Sequence, residues 1–395
     1  MGVRRVYGAE WKHEWMLDPG IAYLNHGTVG APPRRVIAEW RRLQDEIERQ
    51  PAQFLLRELA DVDGEGRPAH PHMRTAAARV ARFVGCPTDA FAFVDNATTG
   101  VNAVLRSYPF GAGDEIVYAN LGYGGVNNAI KFVAERSGAT TRMIHLPNPG
   151  APEDDYVAAV DEGLDDHTTM LVIDHITSQT ALVLPLRRIA DVCRAAGVLV
   201  LADGAHAPGA IALDVQSLGV DFYAANLHKW GFTPRSSGFL YTSPEQHDVI
   251  HPTVISWGLG HGLAAEFDLL GTRDPSAWLT SPFALDLLEE WGGADLIEHN
   301  HQMVLRQARR LAESWGTRFD TPESMIGPMA YLRLPRQLGS TKAEAVALQE
   351  SLLADDRIEV PFFADEGGIT CRISAQIYND DSDFDRLRDA VLRRT

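Results

Sequence analysis

Lys229 is one of only four lysines in 395 residues, and it follows an apolar run, Asp221 to Ala225, as part of Asn226-Leu227-His228-Lys229. A second apolar run, Val198 to Ala202, ends on Asp203, with His206 three residues on. A lone lysine after a strand is ordinarily a solvated surface residue, and an aspartate at a strand end ordinarily caps a turn. In combination they suit a particular chemistry. An amine just after a buried strand is partly desolvated, which lowers its pKa and favours Schiff-base formation. A carboxylate at the end of a neighbouring strand suits a pyridinium nitrogen. Together they point to pyridoxal 5′-phosphate (PLP). Lys229 is then the covalent anchor and, once freed by substrate, the general base for an α-proton. Asp203 pairs with the ring nitrogen, and His206 and Ser178 lie near the ring hydroxyl. Asn226 and His228 bind phosphate or orient the lysine.

Other segments complete such a site. Asn96-Ala97-Thr98-Thr99-Gly100 follows one strand and opens a helix. The free N–H groups and hydroxyls of Ala97, Thr98 and Thr99 make an anion site there, unless the threonines serve only as an N-cap. Tyr123, in Leu121-Gly122-Tyr123-Gly124-Gly125, could stack on a pyridine ring or be a surface turn residue. Arg372, in Cys371-Arg372-Ile373-Ser374, suits a bidentate clamp on an α-carboxylate. Asn25 and His26 could contact substrate from the N-terminal loop. Arg57 could reach a second carboxylate, although a surface helix charge is its ordinary role. Thr272, in Gly271-Thr272-Arg273-Asp274, reads by itself as a turn residue. No metal site is expected. Cys86, Cys193 and Cys371 lack metal spacing, and no HExxH or CxxC accompanies the histidines.

The elements that must hold these groups read as alternating helices and strands. Strands are expected at 90–95, 115–119, 140–145, 170–174, 198–202, 221–225 and 237–241. Helices are expected at 34–50, 72–84, 99–108, 125–136 and 186–196. Short apolar strands between helices predict an α/β fold with a mostly parallel sheet covered on both faces. Ligands on such sheets sit at the carboxyl ends of strands. Asp95, Asp174, Asp203 and Lys229 all fall at such ends. Beyond about residue 275 the pattern changes to helices at 283–290, 294–314 and 382–392, with short strands near 328–334, 358–362 and 368–374. We therefore expect an N-terminal arm over 1–20, a large cofactor-binding domain over 21–275 and a smaller C-terminal α+β domain over 276–395.

Bulk properties narrow the function. A net charge of −17 argues against a nucleic-acid partner. No 18-residue apolar span suggests a membrane helix, and the N-terminus lacks the apolar stretch of a signal peptide. Scattered cysteines, odd in number, read as reduced thiols, so the expected location is the cytoplasm.

These segments resemble the class V aminotransferase-like family of fold-type I PLP enzymes over nearly the whole chain. YLNHGTVG at 23–30, DNATTG at 95–100, DHITSQTALVLPL at 174–186, ADGAH at 202–206, NLHKW at 226–230, GTRD at 271–274 and RISAQIYN at 372–379 match its pattern. The match is nearest the subgroup typified by isopenicillin N epimerase, which also holds carbon–sulfur lyases. The resemblance implies a homodimer with shared sites, in which Thr272 reaches the phosphate of the other subunit's cofactor. It implies phosphate binding at Ala97 and Thr98, the ring nitrogen on Asp203, the Schiff base on Lys229 and the substrate carboxylate on Arg372. Two departures stand out. Many members stack a histidine on the ring, and here Tyr123 or a neighbour must do so. Cys371 abuts Arg372 on a strand, a poor place for the mobile-loop cysteine of desulfurases. The expected reaction is C–S cleavage of a cysteine S-conjugate. The alternatives are epimerisation with Tyr23 or His26 as second base, decarboxylating oxidative deamination or transamination in an antibiotic pathway, and a non-catalytic PLP-fold binding protein.

Overall fold

The strand ends that carry the chemistry line one edge of a seven-stranded sheet. The computed structural model describes residues 6–395; the first five residues of the expected arm lie outside the described residues. The strands are β1 (Ala22–Tyr23), β2 (Phe91–Val94), β3 (Glu115–Ala119), β4 (Thr140–Ile144), β5 (Thr168–Asp174), β6 (Leu199–Asp203), β7 (Phe222–Asn226), β8 (Gly238–Thr242), β9 (Met329–Arg333), β10 (Ile358–Glu359), β11 (Phe362–Asp365) and β12 (Gly368–Ser374). The large sheet has the order β2-β8-β7-β6-β5-β3-β4. Only β8 runs against the others. Every residue of β2, β7 and β8 is buried. Both faces of the sheet are covered by helices, so the strands read as apolar runs and not as an alternation. The fold is α/β with a mostly parallel central sheet, as expected.

A second, three-stranded antiparallel sheet has the order β11-β12-β9. Helices Ala294–Trp315, Lys342–Asp356 and Asp381–Leu392 accompany it. Val304, Leu311, Leu332, Leu352, Ile373 and Phe384 fill its core, and so do Ala22 and Leu24 from the N-terminal segment. β1 pairs in parallel with β10, which ties that segment to the second sheet. Helix Ser281–Glu290 instead packs on helix His72–Val84 beside the large sheet.

Two long helices, Glu153–Glu162 and Lys342–Asp356, and several short ones such as Leu263–Asp268 fall where the sequence reading places no element. The strand expected at 358–362 divides into β10 and β11. Pro361 stands at the break, where it has no N–H to continue a ladder. No described helix is long and apolar enough to cross a membrane.

Candidate active site

Lys229 lies three residues beyond the end of β7. Its backbone is held from behind by His26, whose Nε2 donates to the Lys229 carbonyl at 2.8 Å while Nδ1 meets the Tyr378 hydroxyl at 2.9 Å. Gly30 lets the N-terminal loop cross the same turn. Its φ is +65°, and a Cβ there would lie 1.9 Å from the His228 carbonyl oxygen. In front, Lys229 Nζ is 3.0 Å from His206 Nε2. Burial pulls the Lys229 pKa down to about 8; the Arg372 charge adds to this, and Asp203 and Asp174 oppose it. Burial, and then the Lys229 charge, hold His206 well below the ordinary histidine range, so it is a neutral acceptor for the amine.

Asp203 ends β6 and accepts the Ala205 N–H at 2.9 Å. Its carbonyl accepts the His175 N–H at 2.8 Å, and the His175 ring bonds the Tyr223 hydroxyl at 2.8 Å. Burial raises the Asp203 pKa, against the Ala205 N–H and Lys229. Arg372, on β12, is 2% exposed. Nη2 donates to Thr28 Oγ1 at 2.6 Å and Nη1 to the Ser178 carbonyl, but buried Nε has no partner. Arg372 forms no ion pair among the described residues. Burial lowers its pKa to about 10. A buried guanidinium without an anion is costly unless a ligand supplies one.

At the other end of the site, Asn96 caps helix Ala97–Ser107 by accepting the Thr99 N–H at 3.0 Å. Asn226 Oδ1 accepts the Ala97 N–H at 2.8 Å. Those two donors are therefore committed. The second helical residue, Thr98, has no intrahelical partner for its N–H, and its side chain is exposed. Tyr123, 47% exposed, precedes helix Gly124–Ser137.

Comparison with known proteins fits this geometry. The family profile described as Aminotransferase class-V matches residues 59–387. The chain belongs to the class V aminotransferase family. An L-cysteine desulfhydrase of Arabidopsis thaliana is 32% identical over 408 residues, covering 94% of this chain and 87% of the relative. An isopenicillin N epimerase of Streptomyces clavuligerus is 30% identical over 404 residues, covering 97% and 98%. A solved cystine C–S lyase, in complex with its product cysteine persulfide, superposes with a TM-score of 0.76 at 22% identity, covering 94% and 97%, a likeness of fold. The chain is thus a fold-type I PLP enzyme of a family that acts on amino acids.

The residues present suit that cofactor. Two buried polar atoms without partners, His206 Nδ1 and Arg372 Nε, belong to residues grouped about Lys229, and a helix N-terminus with an uncommitted Thr98 faces the end of β7. The structure brings Lys229, Asp203, His206, Ser178, Arg372 and Asn226 together. It does not leave His26 and Asn25 for substrate. Both ring nitrogens of His26 are bonded within the protein, and its pKa falls to about 4 through burial. Asn25 spends its Nδ2 on Glu359 at 2.8 Å and accepts the Thr28 hydroxyl on Oδ1. These two position Lys229 and Arg372 instead. His228 bonds the Ser237 carbonyl at 3.3 Å. Arg57 is exposed and bonds Gln53 at 2.9 Å one turn away, a helix-surface role. Thr272 is exposed, beside Arg273, which pairs with Asp95. Thr28, Tyr378 and Glu359 were missed from sequence. Thr28 and Tyr378 nevertheless lie within two of the quoted motifs, and a hydroxyl inside such a motif is the signal that could have found them.

Proposed function

We propose that this chain is a PLP-dependent lyase that breaks the Cβ–S bond of cysteine or a cysteine S-conjugate, acting as a cytoplasmic homodimer. The observation that carries the reading is a one-sided base. Lys229 Nζ rests 3.0 Å from neutral His206, whereas His26 is fully engaged and the Tyr23 phenol is pushed up by burial and Glu359. One base suits elimination, and two-base epimerisation needs a second. The named activity of the plant relative supports the same reading. Persulfide chemistry on a protein thiol does not fit. Cys371 points into the core of the second sheet, on the opposite face of β12 from Arg372, and burial pushes its thiol far up.

Lys229 would anchor the cofactor covalently and Asp203 would face the ring nitrogen. His206 and Ser178 would face the ring hydroxyl, Tyr123 the ring, and Thr98 the phosphate, with Ala97, Thr99, Asn96 and Asn226 fixing that helix end. When bound, the cofactor supplies an electron sink for charge developing at the substrate α-carbon. Arg372, held by Thr28 and Ser178, fixes the α-carboxylate. Lys229 takes the α-proton, and His206 accepts a hydrogen bond from the amine that makes the transfer. The Cβ–S bond then breaks with its electron pair on sulfur. An apolar strip of Val254, Ile255, Trp257 (82% exposed) and Leu259, together with exposed Thr272, supports a homodimer that covers them. The three free cysteines support a reducing compartment.

The test is purified holoenzyme in heavy water with L-cysteine and a panel of S-conjugates. Thiol or sulfide released in step with pyruvate and ammonia is the expected result. Inversion at Cα with deuterium incorporation and no fragmentation would establish the epimerase instead.

A further inference from the structure

β5 and β6 each end on a carboxylate, and the two are register partners: Asp174 stands opposite Asp203. Both are buried, 5% and 3% exposed. A single carboxylate is enough to face a ring nitrogen, so the second needs its own account. Asp174 lies under the loop that carries Tyr123. A Cβ on Gly122 would sit 3.7 Å from Asp174 Oδ1 and 3.0 Å from the Ala119 carbonyl, so that loop crosses the carboxylate closely. The backbone N–H groups of Tyr123 and Ser178 both face Asp174. Ser178 in turn gives its carbonyl to Arg372. One side chain thus touches the segment before the ring-facing tyrosine and the segment that seats the carboxylate clamp.

An asparagine could accept the same N–H groups without a charge. The charge is therefore the feature to explain. Burial and the Asp203 charge push the Asp174 pKa well above the usual carboxylate range, against the two N–H groups and Lys229. The charged and titratable groups around the pair are Lys229 beyond β7, Arg372 on β12 across Ser178, His206 and His175, both held neutral by burial, and Tyr223 on β7, whose phenol burial and the Asp203 charge push far up. Two neighbouring buried carboxylates share a proton unless a further cation enters.

We propose that Asp174 is a second anionic wall of the cofactor cradle, a positioning residue that braces the Tyr123 and Ser178 segments and, with Asp203, favours a cationic ring between them. The inference rests on the assignment of Asp203 to the ring nitrogen. It predicts opposite signs for the empty and loaded protein, which a merely structural brace would not give. In the apoprotein, a carboxyl whose folded pKa is raised costs stability progressively as pH climbs from its unfolded value toward its folded one. Apo Asp174→Asn should therefore melt higher than wild type, by a margin that grows as the pH rises above the ordinary carboxylate value of about 4. The same variant should bind PLP on the order of tenfold more weakly, with a shifted pH dependence of the bound-cofactor absorption. An apo melting point that falls at every pH, or unchanged PLP affinity and absorption, overturns the proposal. Asp203→Asn is the control. If it alters the bound-cofactor absorption band and its pH dependence while Asp174→Asn leaves binding and absorption unchanged, only the second-wall role fails. If neither variant alters the band, the ring-nitrogen assignment fails with it.

Discussion

Replacing Arg372 tests the substrate site most directly. The guanidinium is buried, and two of its nitrogens are engaged by Ser178 and Thr28 while Nε is free. Its charge has no protein counter-ion among the described residues. A substrate α-carboxylate would supply one through two charge-assisted hydrogen bonds, each worth about 1.5–3 kcal/mol. Arg372→Ala removes both and leaves a desolvated carboxylate unpaired, a loss of about 3–5 kcal/mol. That is on the order of 10²–10⁴-fold in kcat/KM. Arg372→Lys keeps the charge and loses the fork, so about tenfold is expected. The assay compares L-cysteine with its amide in wild type and both variants, with cofactor content and melting temperature measured alongside. Wild type should prefer the acid strongly, and the preference should collapse in Arg372→Ala through loss of reactivity toward the acid alone. Arg372→Ala with a KM within twofold of wild type and an intact acid–amide preference would refute the clamp.

The remaining predictions concern groups that hold the site or the fold around it. The Lys229 amine must be neutral to attack a carbonyl, so PLP capture by the apoprotein should quicken about tenfold per pH unit up to about pH 8 and then level off; a rate still climbing through pH 10 would show an unshifted lysine. His26→Gln, which can still donate to the Lys229 carbonyl, should cost less than about tenfold in kcat, whereas a loss of a thousandfold confined to deuterium exchange would make His26 a base after all. Arg74 donates through Nε to Asp268 at 2.6 Å, and Asp268 is buried with its pKa raised by that burial. Arg74→Ala should therefore lower stability by about 3–5 kcal/mol. Arg74→Leu combined with Asp268→Leu should recover most of it; a melting point equal to wild type in the single variant would rule the cost out.

How much of this was legible in the chain depended on what each residue owes to its neighbours. β6 and β7 are buried on both faces, so their apolar runs stand out and their last residues, Asp203 and Asn226, can be read directly. Arg372 and Cys371 illustrate the other easy case, because alternation along β12 sends one toward the site and the other into the core. Helix Lys342–Asp356 was harder. Its apolar residues do not gather on one face, and the readable signal was the capping box of Thr341 and Glu344. The internal bonds of His26 were hidden for a different reason. Its partners, Lys229 and Tyr378, lie 203 and 352 residues away, and they meet only because β1 pairs with β10 and draws the N-terminal segment across the cleft. A polar residue in a glycine-containing loop has the right type for contacting substrate. Whether it does so is decided by groups that arrive from the far end of the chain. The same logic governs Asp174, whose place at a strand end was plain but whose pairing with Asp203 requires the β6-β5 order of the sheet. Residues chosen for reactivity are thus found by type and local setting. Those chosen to hold them are found only once the strand order is known, and perturbing the second kind is what separates the rival reactions.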